Sequence, residues 1–143
     1  TDFQCALGIS QLRKLNQFLK KRKKIAKIYF EELKNTKYIK LPHINSNIDH
    51  AFHLFPIEID FKHLKYKKNY FLNFFKKNKI NLQVHYPPVH SQPYYKKKFK
   101  YKNNSFPNTM SYFESTVSLP IYYSLKEKQI LKITNLLKRK IHD

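Results

Sequence analysis

The sequence predicts an α+β fold in which a short, three-stranded, mainly antiparallel sheet is covered by helices. Two observations predict it. Apolar residues recur at helical spacing over several stretches, while only three short apolar runs lie between turn signals, too few and too short to close a barrel. The first two of those runs are joined by a linker short enough for antiparallel pairing. At 143 residues, with 41% hydrophobic and 16% aromatic content, the chain has the means for one modest core in a globular domain.

Taken in order, residues 1–15 place Phe3, Ala6, Leu7, Ile9 and Leu12 close to an i, i+3, i+4 stripe, with Thr1 or Asp2 available as cap. The spacing predicts a buried-face helix. Gly8, the only glycine, sits inside it at a cost of about 1 kcal/mol relative to alanine, which implies the close approach of another backbone. A second helix, or the continuation of the first past a kink, is predicted from Asn16 to Leu33, with Ile25, Ala26, Tyr29, Phe30 and Leu33 on its apolar side. Residues 38–41 read as a short strand stopped by Pro42, and residues 52–59 as the best strand, where Pro56 marks an edge or an irregularity. Residues 64–78 return to helical spacing, and residues 96–104 form an exposed lysine-rich segment. A short helix capped by Asn108 follows, with Tyr112, Phe113 and Val117 as its apolar face. Residues 118–122 are a tight extended link, and Ser124 caps a last helix striped by Ile130, Ile133, Leu136, Leu137 and Ile141.

The third strand is expected within residues 81–86, where Leu82 and Val84 alternate until Pro87 and Pro88 remove ladder donors. His85, Tyr86 and His90 are thereby delivered at a strand end on a stiff, non-helical loop, a place that often carries binding groups. Packing and capping are the competing role for each of the three.

Composition narrows the function further. The net charge of +20 and pI near 10.0 raise nucleic acid as a partner, but only three of the 29 basic residues are arginines. Bidentate phosphate and guanine contacts favour the arginine fork, and the lysines are spread over nearly every segment, so a solvated lysine face is expected instead. No run of about 18 uncharged apolar residues predicts a membrane span, and no charged-then-apolar leader marks export, so the expected compartment is the cytoplasm. The lone Cys5 excludes an internal disulfide and a cysteine-based metal cluster. The chain opens on Thr already inside helical sequence, which reads as a piece of something larger.

Six blocks carry a resemblance: residues 1–12 (TDFQCALGISQL), the basic Lys21-Arg22-Lys23, residues 53–57 (HLFPI), residues 84–95 (VHYPPVHSQPYY), residues 106–108 (FPN) and residues 118–120 (SLP). In order and spacing the chain resembles the C-terminal part of the DegT/StrS family of nucleotide-sugar aminotransferases. Within it, the chain is most similar to the pseudaminic-acid branch that aminates C4 of a UDP-linked 4-keto-6-deoxy-N-acetylhexosamine. The resemblance implies the small C-terminal domain of a fold-type I enzyme that uses pyridoxal 5′-phosphate and works as a homodimer with shared active sites. It implies residues 1–34 as a helical segment that packs on an absent large domain, and residues 35–143 as the small α+β domain.

The Schiff-base lysine and the carboxylate that pairs with the pyridine nitrogen belong to that large domain. The chain alone is therefore expected to bind no cofactor and to transfer no amino group. By resemblance His85, Tyr86 and His90 bind the UDP-sugar, His90 nearest the reacting sugar. Gln92, Tyr94 and Tyr95 support the loop, and His53 has no assigned role. No catalytic, cofactor or metal ligand is expected in the chain itself. Two other functions stay open at this point, a stand-alone lysine-rich nucleic-acid module and a gene fragment without activity.

Overall fold

In chain order the elements are α1 (Asp2–Leu12), α2 (Leu15–Leu33), β1 (Ile39–Lys40), β2 (Phe55–Ile59), α3 (Lys68–Lys77), α4 (Pro93–Phe99), α5 (Pro107–Ser115), β3 (Thr116–Leu119) and α6 (Glu127–His142). The computed structural model describes residues 1–143, the side chain of Asn103 apart. Helices α1 and α2 are separate, divided by a turn at Arg13 and Lys14. Ile25, Ala26, Tyr29 and Leu33 of α2 are buried, as are Ile130, Ile133, Leu137 and Ile141 of α6, and the two helices pack on each other. Burying one such Leu or Ile side chain is worth roughly 1.5–3 kcal/mol, so these two stripes are a principal source of stability. Phe55, Ile57 and Ile59 from β2, and Phe71 and Phe75 from α3, join them in one cluster.

The sheet is antiparallel with β2 in the centre, in the order β1-β2-β3. A proline in a central strand needs a reason. Pro56 stands opposite Ser118, and the main-chain N–H and C=O of Ser118 are both turned the other way, to Gln83. The Pro56–Ser118 pair is therefore a non-hydrogen-bonded one, and the missing donor faces the side where β1 reaches only Ile59 and Glu58. Pro56 thus occupies what is locally an edge.

Several expectations are corrected. The third strand is Thr116–Leu119, within what reads as helix and link, whereas residues 81–86 contribute only the single bridge of Gln83 to Ser118. All four residues of β3 are buried, so its two faces differ little in environment. Pro93 at the first helical position starts α4 inside the loop expected to be non-helical, and Lys96 to Lys102 are exposed as expected. Within residues 96–104, the Asn103 side chain lies outside the described residues. Phe106, not Asn108, is the N-cap of α5, because Pro107 takes the first helical position, and Lys126 replaces Ser124 at α6.

Helix α1 is capped as expected, with Gln4 Oε1 accepting from the Thr1 ammonium at 2.9 Å and from its hydroxyl at 3.0 Å. Yet among the described residues none of its side chains is buried, and Phe3 is 90% and Leu12 67% exposed. A Cβ added at Gly8 would meet nothing within 4 Å beyond its own helix, so among the described residues no other backbone approaches it. The expected burial of this face does not occur within the chain.

Helix α3 ends in a left-handed turn that directs the next segment. Lys79, at φ 59, donates to the Lys76 carbonyl at 3.0 Å, and Ile80 donates to the Phe75 carbonyl at 3.0 Å. This is the paired arrangement that satisfies the last carbonyls of a helix, with buried Ile80 and Phe75 as its apolar contact. It turns residues 81–86 back along β3.

Candidate functional site

The turn at Lys79, the exit of β3, the approach to β2 and one side of α6 enclose an open groove of about 900 Å³. His85 and Tyr86 both line it. The His85 Nδ1 lies 3.0 Å from the hydroxyl of Ser118, and Ser118 is held to Gln83 by main-chain bonds of 2.8 and 3.2 Å. The one-residue bridge therefore fixes the imidazole against the end of β3 and leaves Nε2 as the ring's second polar atom. Tyr86 is 75% exposed and sits edge-on to His85, with ring centroids 4.9 Å apart and planes at 90°. The His85–Tyr86 peptide is cis.

His90 is elsewhere. It lies on a 3-10 turn, Val89–Ser91, buried against Phe106 at 4.6 Å, and does not line the groove. Its Nε2 has no hydrogen-bond partner among the described residues. Gln92 donates to the Pro87 carbonyl at 3.4 Å, and the Tyr94 hydroxyl accepts from Lys98 at 3.1 Å.

A second wall is formed by His53 and Arg22, which lie in two of the blocks that carry the resemblance but have no role assigned by it. His53 lines the groove with its side chain exposed, while its carbonyl accepts from Arg22 Nη1 at 2.9 Å. The same nitrogen lies 3.0 Å from the Phe52 carbonyl and 3.3 Å from the Ile121 carbonyl. Behind this wall the Tyr29 hydroxyl donates to the Pro120 carbonyl at 2.8 Å, and burial holds its pKa well above the ordinary phenol range. Arg22 lies in the basic block Lys21-Arg22-Lys23 that carries part of the resemblance, and it is one of only three arginines among 29 basic residues.

The electrostatics of the groove are one-sided. Arg22, Lys79 and Lys132 line it, and no carboxylate does so among the described residues. Lys79 and Lys132 are exposed. Lys68, whose pKa burial pushes down to about 8, lies outside the groove and donates to the Phe113 carbonyl. Among the described residues no group of three His, Cys, Asp or Glu side chains is placed to hold a metal ion. No described helix is long and apolar enough to cross a membrane. Chemically, the groove offers imidazole and phenol groups for hydroxyls and cations for an anionic ligand.

Residues 1–138 match the DegT/DnrJ/EryC1/StrS aminotransferase family. The chain is 35% identical over 130 residues to the spore coat polysaccharide biosynthesis protein SpsC of Bacillus subtilis, covering 90% of this chain and 33% of that protein. It is 30% identical over 136 residues to the UDP-4-amino-4,6-dideoxy-N-acetyl-beta-L-altrosamine transaminase of Campylobacter jejuni, covering 94% of this chain and 35% of the transaminase. Among solved structures it resembles Helicobacter pylori PseC, an aminotransferase involved in the biosynthesis of pseudoaminic acid. The TM-score there is 0.86 at 26% identity, over 97% of this chain and 37% of that one. The chain thus spans about a third of the length of the relatives it matches.

Proposed function

The chain belongs to the DegT/DnrJ/EryC1/StrS aminotransferase family, and from that premise we propose that it is the C-terminal, substrate-binding and dimer-packing portion of a pyridoxal-phosphate-dependent nucleotide-sugar aminotransferase. In this reading the substrate is a UDP-linked 4-keto-6-deoxy-N-acetylhexosamine that is aminated at C4, the enzyme is a cytoplasmic homodimer, and a second substrate donates the amino group. The observation that carries the reading is the groove in which His85, fixed by Ser118, stands beside the exposed Tyr86. Imidazole and phenol suit sugar hydroxyls, and a groove with cations and no lining carboxylate suits a diphosphate. The substrate named for the Campylobacter jejuni relative supports the choice of sugar. His90, with its unpartnered Nε2, completes the set where a neighbouring subunit or a large domain meets the loop.

The residues of this chain do not fit the covalent part of a pyridoxal-phosphate site. A Schiff-base lysine must be desolvated and positioned, and the two lysines that line the groove are exposed. Among the described residues no carboxylate lines the groove to pair with a pyridinium nitrogen. Both groups are assigned to a large domain on which residues 1–34 dock, and the chain alone transfers no amino group. Borohydride reduction of the assembled enzyme, followed by peptide mapping, tests this. The pyridoxyl-lysine is expected outside the 143 residues, and mapping it to a lysine within them would overturn the assignment.

A further inference from the structure

We propose that Arg22 is a positioning residue of this groove and acts through the main chain of His53, which makes His53 a third substrate-contacting group beside His85 and Tyr86. The inference rests on the substrate-groove reading above. The ladder between β2 and β3 has its last pair at Phe55 and Leu119, and beyond it the two strands lose their mutual main-chain bonds. Arg22 acts in that gap. Its Nη1 is shared among the carbonyls of Phe52 (3.0 Å) and His53 (2.9 Å) before β2 and of Ile121 (3.3 Å) after β3, so one guanidinium ties α2 to both approaches.

The main chain it holds is not one that would hold itself. Phe52 adopts φ 48, a left-handed conformation disfavoured for a bulky side chain. It is kept there by the Arg22 bond on its carbonyl, by its own N–H donating to His50 Nδ1 at 2.9 Å, and by its ring against Phe30 and Phe55. His53 follows directly, with its carbonyl clamped and its imidazole exposed in the groove. Arg22 forms no ion pair with a carboxylate among the described residues, so the carbonyl oxygens are its partners. All three carbonyls meet the one nitrogen Nη1, which shares its two hydrogens among them, and a lysine, one bond shorter, would bring a charge without placing it at that point.

The test compares Arg22→Lys, His53→Ala and the double variant in the assembled enzyme, with thermal melts taken alongside to correct for folded fraction. Arg22→Lys is expected to raise the KM for the UDP-sugar about three- to tenfold with kcat changed less than about twofold. In the His53→Ala background the same substitution is expected to add nothing further, because its effect runs through His53. An unchanged KM in Arg22→Lys would show that charge alone suffices, and strictly additive effects would show that Arg22 does not act through His53. Either result overturns the proposal. If the wild-type enzyme turns over no UDP-sugar, the aminotransferase reading fails, and amide hydrogen exchange on this chain decides the clamp by itself. Faster exchange at residues 53–54 and 121–122 in Arg22→Gln supports it, and unchanged exchange refutes it.

Discussion

Lys68 shows how a single charge is traded against packing. Its ammonium sits over the Phe113 ring at 4.8 Å and donates to the Phe113 carbonyl, yet burial dominates and lowers its pKa from 10.5 to about 8, against the opposing pull of Glu114. The folded state therefore binds fewer protons than the unfolded state between these two values, and unfolding free energy rises with pH across that window. Below pH 8 the penalty of holding the charge is present in full. Lys68→Met is expected to be more stable than the wild type at pH 7, with the gap narrowing as pH rises from 8 toward 10.5. Denaturant midpoints of the two proteins over that range check this, and a gap independent of pH would refute it. At this scale the sequence revealed residue types but not partners. His85 and Tyr86 were recognisable from the prolines after them, whereas the Ser118 that fixes His85 is 33 positions away and the carbonyls that Arg22 holds are 30, 31 and 99 away.

At the scale of elements, α1 behaves unlike the rest. It leaves Phe3, Leu7, Ile9 and Leu12 exposed, a Cβ added at Gly8 would meet nothing within 4 Å, and an apolar surface of this kind is one that packing on another body would cover. In the isolated chain Gly8→Ala should stabilise α1 by about 1 kcal/mol, seen as roughly fivefold greater amide protection within the helix. In the assembled enzyme, where another backbone is proposed to cover that position, the same substitution should destabilise. Equal gains in both settings would remove the packing reading of α1. The helices were legible where their stripes were long: α2 and α6 run 19 and 16 residues and bury most of the positions their periodicity marks, with Phe30 and Leu136 half-buried. Strand β3 escaped because four residues give too short a pattern to separate from the helical spacing that runs into it. Residues 81–86 misled in the opposite direction. Their alternation is real, since Leu82 is buried, but a strand needs a partner edge, and β3 offers them only the Ser118 position.

For the whole molecule, the α+β class and the antiparallel sheet followed from counting short strands and linkers, and the family from the order of six short blocks. A net charge of +20 resembles a nucleic-acid-binding surface in bulk, but its local consequence here is a groove lined by cations and no carboxylate, which an anionic sugar nucleotide can enter without repulsion. The claim that this groove binds the UDP-sugar is tested most directly by kcat/KM for UDP-sugar amination in the assembled enzyme, comparing wild type with the Tyr86→Phe, His85→Ala double variant. Losing two hydrogen bonds, one from each ring, predicts a drop of about tenfold or more with the melting temperature nearly unchanged. Wild-type kcat/KM in the double variant would contradict the assignment of the groove.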